Sequence, residues 1–207
     1  GASEGFQNVD VNKGRVSWLM YNSLTYGLMP TAFYLDAYAD GQKVEFAGEN
    51  TKVQPASNDE GDVVTLTHTD PKLGVELVRT FTVTPKDVDV RVKLRSKTGK
   101  KDLKLVLTDG LLSYDYPIST DPVESRPNEY TIDVGGRYQL HTKFEGADST
   151  GTGKSQQFAE ASANDGDRYF AGVWERHGDS LSARMTIAGD ANEALQDSDG
   201  DGLPDDW

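Results

Sequence analysis

Between residues 63 and 107, apolar side chains recur at every second position, and this constrains the fold more than any other feature of the chain. Val88, Val90, Val92 and Leu94 alternate with Asp87, Asp89, Arg91, Lys93 and Arg95. A period of two puts one apolar and one charged face on an extended strand, whereas a helix would scatter these residues around its circumference. Val75, Leu77, Phe81 and Val83 form a second such face, Leu103, Leu105 and Leu107 a third, and residues 63–69 a fourth strand that ends at Asp70-Pro71. Turns are expected at Pro85-Lys86-Asp87 and at Lys97-Thr98-Gly99-Lys100-Lys101. Residues 63–107 are thus expected to form a four-stranded antiparallel meander with one buried face.

Shorter strands are expected at 16–20, 32–38, 130–134, 138–144, 169–174 and 181–187, with a turn at Asp40-Gly41. No amphipathic helix longer than two turns and no internal repeat is visible. Ten or more strands joined by short turns predict an all-β fold, a two-sheet antiparallel β-supersandwich. The expected organisation is one domain over residues 1–189 and an acidic linker or tail over 190–207. Residues 109–129 carry Tyr114, Tyr116, Pro117, Pro122 and Pro127 and are expected to form a long loop and a binding edge. The Gly/Ser/Thr-rich stretch 146–155 is expected to be a second, mobile loop.

The 207 residues carry a net charge of −13. Phosphate binding needs clustered Lys and Arg, so nucleic acid is not an expected partner. The chain has no Cys, which excludes thiol catalysis and Cys-based zinc sites. No apolar run approaches the ~18 residues that a membrane-spanning helix requires. The opening Gly1-Ala2-Ser3-Glu4 shows no signal peptide, and a leader or anchor is expected to have been removed.

The stretch Asp197-Ser198-Asp199-Gly200-Asp201-Gly202-Leu203-Pro204-Asp205-Asp206-Trp207 has the most specific chemistry. Oxygen ligands at alternate positions followed by Gly match the first half of an EF-hand-type calcium loop, in which positions 1, 3 and 5 give side-chain oxygens and position 7 a carbonyl. These positions fall on Asp197, Asp199, Asp201 and the Leu203 carbonyl, with Asp205 at position 9. The acid at position 12 would follow Trp207. Such Asp-rich repeats resemble those of dockerins and thrombospondin-type linkers, so calcium is the expected cofactor and the chain is expected to be one module of a longer protein. The alternative is a solvated acidic tail.

The histidines are His68, His141 and His177. Each lies in or beside a different expected strand, outside any catalytic motif, and G-x-S-x-G, H-E-x-x-H and G-x-x-x-x-G-K-[ST] are all absent. They are read as ordinary surface or half-buried residues. Trp18, Tyr21, Tyr26, Tyr34, Tyr38, Tyr114, Tyr116 and Trp174 could instead provide a platform for sugar rings or a groove for an extended peptide. Trp18, Tyr114, Tyr116 and Trp174 are taken as the ligand-binding candidates. The competing reading makes these aromatics core and cross-strand residues.

The order of strands carries a resemblance. Thr67-His68-Thr69-Asp70-Pro71 precedes the strand from Gly74 to Thr84. The strand from Asp87 to Leu94 follows, then Asp102-Leu103-Lys104-Leu105-Val106-Leu107, and finally Asp167-Arg168-Tyr169-Phe170-Ala171-Gly172-Val173. Over residues 9–188 this resembles the large extracytoplasmic domain of the YidC family of membrane protein insertases. The resemblance implies a β-supersandwich, a fold also seen in galactose mutarotases and in the N-terminal domains of bacterial glucoamylases. It further implies an extracytoplasmic module without enzymatic activity that docks a protein partner or extended peptide through sheet edges. The alternative is a carbohydrate-binding accessory domain of a secreted glycan-processing enzyme, with an oligosaccharide as partner. A third reading, a sugar epimerase, requires two of the histidines and a carboxylate to share one pocket.

Overall fold

The alternation at 88–94 becomes the centre of a sheet in a computed structural model, which describes residues 6–12, 15–21, 34–45, 51–58, 61–84, 86–111, 124–134, 138–153 and 168–191. Among the described residues, fifteen strands run in the order β1 (Phe6–Asn12), β2 (Arg15–Tyr21), β3 (Tyr34–Ala39), β4 (Gln42–Lys43), β5 (Thr51–Asn58), β6 (Gly61–Asp70), β7 (Val75–Val83) and β8 (Asp87–Ser96). They continue as β9 (Lys101–Leu111), β10 (Glu124–Arg126), β11 (Glu129–Val134), β12 (Tyr138–Glu145), β13 (Ser149–Gly153), β14 (Arg168–Gly178) and β15 (Ser180–Ala191). An eight-stranded sheet has the order β10-β11-β12-β15-β8-β7-β6-β5, and a five-stranded sheet the order β13-β14-β9-β3-β4. Strands β1 and β2 form a separate pair. Every pairing is antiparallel. The fold is therefore the all-β, two-sheet antiparallel supersandwich. Among the described residues, no helix is long and apolar enough to cross a membrane.

The inner faces pack one core. Val88, Val90, Val92 and Leu94 from β8 meet Leu103, Leu105 and Leu107 from β9, with Leu77, Phe81, Leu140, Phe144, Met185 and Ile187 completing the layer. All of these are at most 2% exposed. Burying such side chains is the main stabilising contribution, at about 1.5–3 kcal/mol for each fully buried large apolar group.

Three expectations about local structure need correction. The four-stranded meander is three strands, β6-β7-β8, because β9 crosses to the other sheet and pairs with β3 and β14. Residues 97–100 therefore carry the chain between layers rather than closing a hairpin. Alternation specifies which face of β9 is buried, and both layers satisfy that equally. The expected loop at 146–155 contains β13, an edge strand on β14, where a Gly/Ser/Thr-rich sequence is tolerated because only one side is paired. The expected loop at 109–129 includes the end of β9 and all of β10. Strand β5, not anticipated from sequence, contains Pro55 and lies at the edge of its sheet, where a missing N–H costs no ladder bond.

Turn chemistry holds the register. Asp40 (φ 49°) and Gly41 (φ 77°) both occupy the left-handed region, as a two-residue type I′ hairpin requires. Asp70 Oδ1 accepts from the amides of Lys72 and Leu73 at 3.0 and 3.1 Å, an Asx-type turn into β7.

Candidate functional site

The outer face of the five-stranded sheet carries the site. In register, Tyr38 on β3 lies beside Lys104 on β9, which lies beside Glu175 on β14. One step along, Asp102 pairs with His177. Two reciprocal bonds pin the β3–β4 hairpin to β9: Asp40 N–H donates to the Asp102 carbonyl, and Asp102 N–H donates to Asp40 Oδ1, both at 2.8 Å. Tyr38 is thereby fixed next to the Lys104 ammonium, which sits 5.9 Å from the ring centroid.

These residues, with Gly41 and Arg176, line an open cavity of about 760 Å³. His177 Nδ1 and Asp102 Oδ1 are 2.7 Å apart. Lys104 Nζ lies 3.6 Å from Glu175 Oε1. With Lys104 and Arg176 set against Glu175 and Asp102, the cavity presents an aromatic face and many hydrogen-bonding groups with little net charge. The Lys104–Glu175 ion pair and the His177–Asp102 contact are both solvent-exposed, so they add little to stability and remain available to a ligand.

A second polar cluster lies in the core. Asp109 on β9 is 1% exposed. Its Oδ2 accepts from the Tyr130 phenol at 2.6 Å and from the Thr142 hydroxyl at 3.2 Å, while Oδ1 has no hydrogen-bond partner among the described residues. Burial raises the Asp109 carboxyl above its ordinary range, opposed by the bonds from Tyr130 and Thr142. Burial, then the Asp109 charge, pushes the Tyr130 phenol well up. Tyr130 stacks on Phe170, with ring centroids 3.6 Å apart. Both partners of Asp109 are occupied in joining the two sheets, so the cluster reads as structural.

The candidates from sequence separate. Trp174 is a correction: it is 3% exposed, donates Nε1–H to the Glu145 carbonyl at 2.9 Å and packs edge-on to Phe144. It is in phase with Phe170 and Gly172 on the inner face of β14, so it cannot form a platform. Trp18 falls on β2 opposite Asp10. The Trp18 side chain lies outside the described residues, as do Tyr114, Tyr116 and the calcium candidates Asp197, Asp199, Asp201, Leu203 and Asp205. Among the described residues, no group of three or more His, Asp or Glu is arranged to hold a metal.

The histidines do not converge. His68 is buried on the inner face of β6, and burial is the largest cause lowering its pKa below 6.5. His141 meets the Thr131 hydroxyl at 2.7 Å on β12, four strands away in the sheet, or ~19 Å at the usual strand spacing. His177 belongs to the other sheet. Among the described residues, Tyr38 and His177 are the ones singled out in the sequence that reach the site. Lys104, Glu175 and Asp102 carry no local motif, and their convergence comes from the pairing of β3, β9 and β14.

No protein-family model matches the chain, and no curated protein matches it in sequence. Solved structures do share its fold. The heparinase III BT4657 gene product is 10% identical with a TM-score of 0.52, over 82% of this chain and 25% of that one. Heparan sulfate lyase HepC from Pedobacter heparinus is 12% identical with a TM-score of 0.51, over 82% of this chain and 25% of that one. The Slr1438 protein from Synechocystis sp. PCC 6803 is 10% identical with a TM-score of 0.50, over 80% of this chain and 75% of that one. The chain spans about a quarter of the length of the first two of these proteins. The likeness is one of fold, and the insertase resemblance gains no support from it.

Proposed function

We propose that the chain is a carbohydrate-recognising module of an extracytoplasmic, glycan-processing protein, without chemistry of its own. The cavity over β3, β9 and β14 carries this reading. An aromatic ring beside self-compensating charges suits a ligand with many hydroxyls and no net charge, since sugar C–H groups pack on the ring while Lys104, Glu175, Asp102 and His177 exchange hydrogen bonds with the hydroxyls. Structural neighbours named as heparinase and heparan sulfate lyase support a glycan rather than a peptide. The insertase-like docking reading rests on the strand signature ending in Tyr169-Phe170 alone and gives way to this one. Calcium at the Asp197–Asp205 ladder belongs to the same proposal, as the linker of a multidomain secreted protein.

Titration calorimetry against a panel of uncharged oligosaccharides tests the reading. Weak binding that Tyr38→Ala and Lys104→Ser each reduce at least tenfold is expected. Binding of extended peptides but of no saccharide would replace it with the docking reading.

A further inference from the structure

The outer face of the eight-stranded sheet has a different character. Two adjacent rows of the register cross it. One runs Lys52, Thr67, Val78, Lys93 and Ser182, and the next runs Gln54, Thr65, Thr80, Arg91, Arg184 and Glu145. These rows contain four cations and one carboxylate, in a chain whose net charge is −13. Three of the cations, Arg91, Lys93 and Arg184, flank a trough of about 430 Å³ that is floored by Val78, Thr80 and Ser182 and has Glu145 at its rim.

Their charge is incompletely matched. Arg184 is held by Asp89, with Nε–H and Nη2–H donating at 3.2 and 3.0 Å. Arg91 reaches the same carboxylate at 3.4 Å, so two guanidinium groups share one acid. Lys93 and Lys52 are exposed, and neither makes an ion pair among the described residues. Lys93 and Arg91 project from the same side of β8 about 7 Å apart, and Lys52 lies about 14 Å across the sheet from Lys93, given usual strand dimensions. On the far sheet, by contrast, Lys104 and Lys43 are each paired with a carboxylate, Glu175 and Asp36.

We propose that this face is a second binding surface, which takes a polyanionic polysaccharide bearing sulfate or carboxylate groups. A flexible anionic chain lying along the trough meets Arg91, Lys93 and Arg184 in succession and finds the hydroxyls of Thr80 and Ser182 for its uncharged groups. Arg presents a planar fork that matches sulfate and carboxylate oxygens. Nucleic acid fits less well. No Phe, Tyr or Trp occupies a described outward position on β5–β8, β12 or β15 for bases to stack on.

Affinity measurements of the whole chain at low and physiological salt test the surface. The probes are a heparin-derived sulfated oligosaccharide, an unsulfated oligouronate, an uncharged dextrin of similar length and a short DNA duplex. Binding of the sulfated or the uronate chain is expected, weakening steeply with salt and reduced at least tenfold by Arg91→Ser combined with Lys93→Ser. The preferred probe identifies the anionic group. Lys93→Ser alone, at an exposed position, should reduce affinity without changing the melting midpoint, and Lys43→Ser on the far sheet should leave binding intact. Absence of binding to both anionic glycans, indifference to the Arg91 and Lys93 changes, or equal affinity for DNA would each overturn the proposal.

Discussion

The Tyr130 phenol donates to Asp109 Oδ2 at 2.6 Å, a bond that spans the two sheets, since Tyr130 sits on β11 and Asp109 on β9. The carboxylate is fully enclosed, and burial raises its pKa above its ordinary value of 3.8. The folded state therefore holds this proton more tightly than the unfolded chain does. Its contribution is fully present below the unfolded pKa and is lost as pH rises through the raised folded value. Asp109→Asn keeps an acceptor for Tyr130 and Thr142 but cannot ionise. The melting midpoint of the parent should fall relative to this variant as pH rises above about 4; parallel profiles would contradict the assignment. Asp109→Ala should be destabilised at all pH values by about 1–3 kcal/mol, because two buried hydroxyls lose their acceptor.

His68 has the opposite sign. Its folded pKa is lowered, chiefly by burial, so the folded state resists protonation and stability is lost as pH falls below about 6.5. In an NMR titration of the three imidazoles, the His68 resonance should have its midpoint below 6.5. A midpoint at or above that value would mean the ring is open to solvent.

Gly172 and Phe144 are in close approach across the sandwich. A Cβ on Gly172 would lie 2.7 Å from the Phe144 ring. Gly172→Ala should cost about 1–3 kcal/mol, as overpacking does, and urea denaturation measures it. The companion change Phe144→Leu should recover part of that loss in the double variant.

Trp174 should behave as a core residue and not as a ligand platform. Trp174→Phe loses the Nε1–H bond to the Glu145 carbonyl and should destabilise by about 1–2 kcal/mol, with saccharide affinity unchanged. A selective loss of affinity at unchanged stability would restore it to the site.

Calcium is expected to bind through Asp197, Asp199 and Asp201. A ligand that binds only the folded form raises the melting midpoint by mass action. Thermal melts with calcium and with chelator, on this chain and on one extended by about ten residues to supply the position-12 acid, should separate only where the loop is complete. Coincident melts in both would make the Asp ladder a solvated tail.

Much of the architecture was legible locally, because alternation at Val75–Val83 and Asp87–Ser96 records which side chains a sheet buries. Partner choice was not. Strand β9 alternates as β8 does, and nothing in residues 97–107 tells a hairpin from a crossover between layers. Pro55 hid β5, and the Gly/Ser/Thr content of 149–153 hid β13, because edge strands tolerate residues that read as loop. The site was less legible still. Tyr38, Lys104, Glu175 and the Asp102–His177 pair come from three strands distant in sequence, and only their register brings them together. Trp174 shares its phase with the buried Phe170, and the period-two pattern of β14 becomes readable only once one of the two is known to point inward.

Chemical-shift mapping of the isotope-labelled chain against the best-binding uncharged oligosaccharide tests the central claim most directly. Perturbations concentrated on Tyr38, Gly41, Asp102, Lys104 and His177, with the opposite sheet unmoved, are predicted. Shifts confined to other strands, or none at saturating sugar, would contradict the assignment of this face as a carbohydrate site.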